Sequence, residues 1–213
     1  MDKKMLMIAG AMAGAIGLAA VVFLVAMPPQ KAETLANRAP ASVNIDGATL
    51  GGPFALTTHK GDRVTDTDVI DGPTLVYFGY TFCPDVCPID TNIMAEAVDL
   101  LAEQGMEVTP VFVTVDPARD TPTELGYFVE GMHPQMLGLT GTQEEIKAAA
   151  DAYKVYYSRV EVPDSHAEYL MNHTAYTYLM MPDGIAALYR RGADAKELAD
   201  DIAIVLRQKG VAG

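Results

Sequence analysis

The segment from residue 74 to residue 104 constrains the fold most, because a buried strand signal is followed at once by a helix signal. The run at 74–79 (Thr-Leu-Val-Tyr-Phe-Gly) is continuously apolar or β-branched, which is typical of a strand buried in a parallel sheet. From Pro88 to about Gln104 apolar residues recur at steps of three and four, which predicts an amphipathic helix with a proline near its first turn. The apolar positions of this helix are Ile89, Ile93, Met94, Ala97, Val98 and Leu101.

Further strand and helix signals alternate along the rest of the chain, and this alternation predicts the fold class. They comprise a strand at 108–115, helices at 121–130 and 143–153, an extended segment at 154–160, strands at 174–180 and 185–190 joined by a Pro-Asp-Gly turn, and a last helix marked by Leu198, Ile202, Val205 and Leu206. This order predicts an α/β protein of thioredoxin-like fold, with a central mixed sheet flanked by helices.

The first residues predict a membrane anchor ahead of this domain. Residues 5–27 contain no charge, and 23 helical residues would span about 34 Å, enough to cross a hydrocarbon core of about 30 Å. We expect residues 1–4 to form a cytoplasmic tip, 28–43 a linker rich in Ala and Pro, and 44–213 the thioredoxin-like domain.

A cleaved secretory signal is the alternative to this anchor, but its apolar stretch is normally only about 7–15 residues long. The longer run here favours the anchor. Lys3 and Lys4 precede it, so the domain after it is expected outside the cytoplasm. The predicted location is a bacterial inner membrane, with a single pass and the C-terminal domain in the periplasm.

The exported part is acidic, which limits its partners. From Pro28 onward 13 basic and 27 acidic residues give a net charge of −14. Such a surface repels nucleic acid and anionic lipid. We interpret the acidity as a means of keeping the domain soluble rather than as an acidic docking face.

Cys83 and Cys87 are the only cysteines of the chain, and they lie between the first predicted strand and its helix. That position is the carboxyl edge of an α/β sheet, where ligands bind. Residues four apart on a helical turn share a face, so the two thiols can meet one metal ion or each other.

A structural disulfide is the simplest interpretation of two cysteines in an exported chain. However, a bridge that closes only five residues stabilises little through loop entropy. A helix N-terminus also favours thiolate over thiol, so we favour reactivity or metal binding at Cys83 and Cys87.

Two cysteines leave the coordination of a soft metal incomplete, so a third ligand is needed. Among the four histidines, His173 lies just before the predicted hairpin, where a thioredoxin-like fold returns a loop to the cysteine motif. Two cysteines and one histidine fit copper with an exchangeable position better than structural zinc, which has four ligands. Catalytic zinc stays open as an alternative.

Three charged residues, Asp116, Arg119 and Asp120, follow the second predicted strand and are therefore expected at the same sheet edge as the cysteines. They could pair with a partner or orient the site. A salt-bridged turn that caps the next helix is an equally good interpretation.

These residues resemble the Sco family of copper chaperones for cytochrome oxidase, of the bacterial SenC/PrrC type. The resemblance covers about residues 50–190. Its matching segments are Gly51 to Phe54, Tyr77 to Pro88, Val115 to Thr121, Leu139 to Gly141, Tyr156-Tyr157, His173 and Tyr178 to Met180.

The resemblance implies one copper ion per monomer, as Cu(I) or Cu(II), on Cys83, Cys87 and His173. It also implies a task in assembling the dinuclear copper centre of cytochrome c oxidase subunit II, with an upstream periplasmic copper donor or thiol reductant as a further partner. The family more commonly has aspartate before the histidine, where this chain has Asn172, which removes a charge beside the ligand.

Other functions stay open at this point. A thiol-disulfide reductase that keeps the subunit II cysteines reduced would use reversible pairing of Cys83 with Cys87, although such enzymes usually carry two cysteines separated by two residues. A thiol peroxidase would need a Pro/Thr-rich peroxide pocket, which the sequence does not contain. A copper or redox sensor cannot be separated from a chaperone by sequence.

Overall fold

The computed structural model of this chain describes residues 42–43, 49–163 and 167–211. The predicted anchor at 5–27 lies outside the described residues, as does most of the predicted linker. Among the residues that are described, no helix is both long and apolar enough to cross a membrane.

The described part of the chain alternates strands and helices, as the sequence predicts. Its strands are β1 (Ser42–Val43), β2 (Ala55–Thr58), β3 (Arg63–Thr65), β4 (Thr74–Gly79), β5 (Thr109–Thr114), β6 (Leu137–Thr140), β7 (Tyr157–Glu161), β8 (Tyr169–His173), β9 (Tyr176–Met181) and β10 (Gly184–Arg190). Its helices are α1 (Asp66–Val69), α2 (Val86–Ala102), α3 (Pro122–Met132), α4 (Gln143–Ala152) and α5 (Ala195–Gln208).

Eight strands form one mixed sheet with the order β1-β10-β9-β4-β5-β6-β2-β3. Its centre is parallel, because β5 pairs in parallel with both β4 and β6, whereas β9 runs antiparallel to β4. Helix α2 packs against α5 and β5, and α3 packs against β6. The predicted α/β thioredoxin-like fold with a central mixed sheet is therefore confirmed.

Strand β4 lies in the middle of the core, which explains its continuously apolar sequence. All of its residues are buried, and Leu75, Val76, Tyr77 and Phe78 are each at most 1% exposed. A strand covered on both faces has no polar side, so it lacks the alternation of a half-buried strand. Its carboxyl end at Gly79 leads directly into the cysteine loop.

The separate pair β7 and β8 forms a two-stranded antiparallel sheet of its own. Tyr157 of β7 is paired with His173, which is the last residue of β8. After two intervening residues β9 begins in the main sheet. His173 therefore lies at the junction between the small sheet and the large one.

Several boundaries differ from those predicted. Helix α2 begins at Val86, two residues before Pro88, so Cys87 lies in its first turn. Ile89 is 48% exposed although it was predicted on the apolar face. At the start of the helix the buried face is instead formed by Cys87, Asp90 and Thr91, and Ile89 lies beside it. At the end of the predicted linker, Ser42 and Val43 pair with β10.

The hairpin of β9 and β10 is confirmed, with Met181 paired to Gly184 across the predicted turn. Gly184 has a φ of 121°, a conformation that glycine adopts at no steric cost. Strands β2, β3, β6 and β8 were not predicted, because each has at most five residues, too few to show a clear periodicity.

Candidate metal centre

The cysteine loop turns from the end of β4 into the first turn of α2. The N–H of Cys83 donates to the carbonyl of Tyr80 at 3.3 Å. Asp85 precedes the helix but its side chain makes no capping hydrogen bond. Instead the Sγ atom of Cys83 accepts a hydrogen bond from the N–H of Cys87 at 3.4 Å. The sulfur thus takes the place of a capping oxygen, where free N–H groups and the helix dipole favour negative charge.

The two cysteines are both free thiols but differ in exposure. Cys83 is partly exposed, whereas Cys87 is completely buried. Gly79 makes room for the buried sulfur, since a Cβ atom at this position would lie 3.0 Å from Cys87 Sγ and 2.9 Å from the ring of Tyr77. An accessible sulfur and a fixed buried one therefore lie side by side.

This arrangement gives the two cysteines very different pKa values. The hydrogen bond from the Cys87 side chain lowers the pKa of Cys83 to about 3, although burial acts in the opposite direction. The side chain of His173 lowers this pKa further. The same contact with Cys83, together with burial, raises the pKa of Cys87 above its usual range. The pair therefore holds one proton between two sulfurs, with the negative charge on Cys83.

His173 faces the buried cysteine. Its Nε2 atom lies 3.2 Å from Cys87 Sγ, and its Nδ1 atom lies 3.1 Å from the carbonyl oxygen of Thr174. A carbonyl can only accept, so Nδ1 carries a proton, and Nε2 is the ring atom that faces the sulfur. The rings of Tyr77 and Tyr80 meet the imidazole edge-on, with interplanar angles of 88° and 89°. The orientation of the imidazole is thus fixed from several sides.

The three predicted ligand residues are therefore brought together, although in a hydrogen-bonded arrangement. In the described part of the chain, no three His, Cys, Asp or Glu side chains are arranged to hold a metal ion as they stand. Cys87 contacts His173 directly, and this contact occupies the space between their donor atoms. Metal ligation would require loss of the shared thiol proton and a small separation of the two side chains. Two sulfurs and one imidazole nitrogen are the donors that soft metals such as Cu(I) prefer.

The other described histidines are structural. His59 Nδ1 accepts a hydrogen bond from the N–H of Gly138 at 3.1 Å. His133 Nδ1 accepts one from the N–H of Gln135 at 3.2 Å, and its other nitrogen lies 3.2 Å from Asp99. His166 lies outside the described residues.

Asp120 braces the cysteine loop against the end of β5. Its carboxylate accepts hydrogen bonds from the backbone N–H of Thr81 at 3.0 Å, from the Thr81 hydroxyl at 2.6 Å and from the Thr114 hydroxyl at 2.6 Å. Burial raises the pKa of this carboxyl group. Asp116 and Arg119 form an ion pair at 2.6 Å, as in one of the two interpretations that the sequence left open, and Arg119 also reaches the small sheet. All three charged residues thus lie at the cysteine edge of the sheet, as predicted.

Sequence reasoning missed a buried polar group beneath the site. The Tyr77 hydroxyl donates to Asp90 Oδ2 at 3.1 Å, and the same carboxylate accepts from Arg191 Nε at 2.7 Å. The hydroxyl also approaches Cys87, and burial raises the pKa of Tyr77. Tyr77 resembles an ordinary core residue in sequence, and the only signal was Asp90 on a helix face that is otherwise buried.

The fold and the site define a thioredoxin-like domain that carries two free thiols and an imidazole at the sheet edge. The SCO1/SenC family model matches residues 43–207, so the chain belongs to the SCO1/SenC family.

Two curated relatives illustrate the extent of the similarity. The chain is 52% identical over 160 residues to Protein SenC of Rhodobacter capsulatus, which covers 75% of this chain and 72% of that protein. It is 41% identical over 163 residues to the mitochondrial SCO1 homolog 1 of Arabidopsis thaliana, which covers 76% of this chain but only 48% of that protein.

Among solved structures, the chain is similar to Arabidopsis thaliana ScoI with copper bound. The identity is 41%, the TM-score is 0.72, and the match covers 75% of this chain and 99% of that one. The structural neighbour is thus a Sco protein that holds copper.

Proposed function

We propose that this chain binds one copper ion through Cys83, Cys87 and His173 and delivers it during assembly of the dinuclear copper centre of cytochrome c oxidase subunit II. The contact of Cys87 Sγ with His173 Nε2 at 3.2 Å carries the proposal, because it joins residues 86 positions apart in the sequence. An imidazole nitrogen beside two cysteine sulfurs is a soft donor set, as copper prefers.

The unequal exposure of the two cysteines supports transfer rather than permanent storage. Cys83 is partly exposed and carries the negative charge, so an incoming thiolate can approach the metal from that side. Three protein ligands leave a position for such an exchange. Copper is then the cargo of the protein, and the lowered pKa of Cys83 keeps one ligand ready at neutral pH.

Family membership supports the link to the oxidase. BsSco, which shares the fold at 24% identity, is a member of the Sco family of cytochrome c oxidase assembly proteins. The proposed partners are subunit II and an upstream periplasmic copper donor or thiol reductant. The apolar run at 5–27 supports a single-pass anchor in a bacterial inner membrane, with the domain in the periplasm.

The thiol-disulfide reductase is not favoured. The lowered pKa of Cys83 would serve that reaction too, but it needs only the two thiols. A reductase does not require an imidazole beside the thiols, whereas a copper site uses His173 Nε2 as its third ligand.

The test is copper loading of the reduced full-length chain in detergent, without oxygen for Cu(I) and with Cu(II) in a separate sample. We expect about one copper per chain and, for Cu(II), an absorption band from charge transfer between thiolate and metal. His173→Ala should weaken binding strongly, by more than the 10–100-fold typical of losing an outer partner of a ligand.

His133→Gln is the matched control, because His133 is a buried histidine that contacts neither cysteine in the structure. It should leave copper binding unchanged. Unchanged binding in His173→Ala would overturn the three-ligand proposal. Transfer of electrons but not of copper to an oxidised subunit II domain would favour the reductase instead.

A further inference from the structure

The cysteines and the histidine of the proposed site belong to different sheets, so some contact must hold the two sheets at the right distance. Cys83 and Cys87 follow β4 of the eight-stranded sheet, whereas His173 ends β8 of the two-stranded sheet. The chain after His173 enters β9 of the large sheet after only two intervening residues, which fixes one end of β8. The other end, at Tyr169, needs a separate attachment.

Arg119 makes that attachment. Its Nη1 atom donates to the carbonyl oxygens of Ala167 and Tyr169, at 3.1 and 3.0 Å. Its guanidinium carbon lies 3.6 Å from the centroid of the Tyr169 ring. The Tyr169 hydroxyl in turn donates to Asp116 Oδ1 at 2.9 Å, and Asp116 Oδ2 accepts from Arg119 Nε at 2.6 Å. The beginning of β8 is thus held by hydrogen bonds and by stacking at once.

The same guanidinium also contacts the cysteine loop. It lies 4.7 Å from the ring centroid of Phe82 and 5.8 Å from that of Tyr80, and Phe82 is the residue immediately before Cys83. A guanidinium over an aromatic face is attracted by the ring, more strongly where water is excluded. One cation therefore touches the strand that leads to His173 and the loop that carries Cys83.

The burial of this ion pair is hard to explain by stability alone. The side chains of Arg119 and Asp116 are only 16% and 5% exposed. Desolvation of two charges offsets much of their attraction, so a buried pair is often no more stabilising than apolar residues of the same volume. Moreover, Arg119 Nη2 is buried and has no hydrogen-bond partner among the described residues. Because burying this ion pair costs free energy, we infer that the position of Arg119 matters for the geometry of the proposed metal site.

We propose that Arg119 is a positioning residue that holds β8 against the cysteine loop and thereby keeps His173 Nε2 within reach of Cys87 Sγ. The attachment of β8 by Arg119 concerns the chain without metal, whereas its effect on copper binding rests on the proposed function. Arg119 does not touch the metal in this scheme. It acts through His173.

The experiment is a double-mutant cycle with Arg119→Met and His173→Ala, measured as Cu(I) affinity of the full-length chain in detergent. If Arg119 acts through His173, Arg119→Met weakens binding at least tenfold in the wild type but has no further effect in the His173→Ala background. A general loss of structure would instead add to the effect of His173→Ala.

A second measurement, made without metal, complements the double-mutant cycle. Amide hydrogen exchange in the apo chain should become at least tenfold faster in β8 of Arg119→Met, whereas β4 and β5 keep their protection. Arg159→Met is the matched control, because Arg159 lies 3.7 Å from the same Tyr169 ring but is 53% exposed and forms its ion pair with Glu161 on its own strand. It should change neither exchange nor affinity by more than twofold.

Arg119→Lys covers the case in which Arg119→Met fails to fold. Lysine keeps the charge but cannot donate to two carbonyls while stacking flat on the rings, so it should also release β8. Unchanged β8 exchange in the folded variant, or additive effects in the cycle, would overturn the proposal. Failure of the wild type to bind copper would overturn the proposed function instead, and the exchange result would still decide the role of Arg119.

Discussion

Cys83 and Cys87 lie where the large sheet leads into helix α2, whereas His173 ends a strand of the small sheet. The cysteine half is built mostly from neighbours in sequence, namely a buried strand, a loop and the first turn of α2, although Asp120 holds this loop from 39 positions away. The histidine half depends on contacts between residues about 50 positions apart, such as that of Arg119 with Tyr169. We infer that the cysteine half is preformed by its own segment of the chain, whereas the place of His173 is set by contacts with distant residues.

The largest effect should come from removing the preformed half. Cys83→Ser and Cys87→Ser each delete a soft donor, so the Cu(II)–thiolate band should disappear and copper should be lost on dialysis. His173→Ala should keep a weakened band, because both sulfurs remain. Titration with copper, followed by absorption and metal analysis, checks this order. A stronger loss in His173→Ala than in either cysteine variant would reverse the comparison.

The next largest effect concerns the brace of the cysteine loop. Asp120→Ala leaves the Thr81 N–H and the Thr114 hydroxyl without their acceptor, and we expect a loss of about 2–4 kcal/mol in the free energy of unfolding at pH 7. Denaturant unfolding of the apo chain measures it. A loss below about 1 kcal/mol would mean that the loop does not depend on this brace.

Asp120→Asn provides a pH control for the same brace. Burial raises the pKa of Asp120, so the folded state binds its proton more tightly than the unfolded state does. The stability that this proton contributes is present below the ordinary value of 3.8 and is lost as the pH rises through the raised pKa. Asparagine cannot titrate, so this part of the pH dependence should vanish in Asp120→Asn.

The same division explains how much of the molecule could be predicted from sequence. Strand β4, the following helix and the place of the two cysteines depend on local periodicity, and all were predicted within about two residues. The pairing of β8 with β7 and the contact of Arg119 with Tyr169 could not be predicted, because no local pattern specifies which distant residues meet. His173 was singled out by its place before a hairpin and by family resemblance, not by a spacing.

We expect a moderate effect on stability from replacing Gly79, the residue of β4 that makes room for Cys87 Sγ. In Gly79→Ala the new Cβ atom would lie 3.0 Å from Cys87 Sγ and from the Phe112 ring, so the core must shift. We expect a loss of about 1–3 kcal/mol in unfolding free energy and weaker copper binding. Gly131→Ala is the matched control, because nothing lies within 4 Å of its Cβ position. That helical substitution should stabilise slightly.

The smallest effect, and the sharpest test of a preformed cysteine half, is on the acidity of Cys83. The Cys87 side chain is the main cause of the lowered pKa of Cys83, so Cys87→Ala should raise that pKa by at least about one unit, whereas Cys87→Ser keeps a donor and should raise it less. The pH profile of Cys83 alkylation by iodoacetamide measures this. In Cys87→Ser the rate should change little between pH 8 and pH 6, since the thiolate persists below the ordinary thiol pKa of about 8.5.

In Cys87→Ala the same alkylation rate should fall further as the pH is lowered, because more of Cys83 is then protonated. Identical profiles for Cys87→Ala and Cys87→Ser would mean that the helix N-terminus alone stabilises the Cys83 thiolate. His173→Ala extends the comparison, since His173 also lowers the pKa of Cys83 but contributes less than Cys87 does. Its alkylation profile should therefore shift less than that of Cys87→Ala. A larger shift would mean that His173, and not Cys87, is the main cause of the lowered pKa of Cys83.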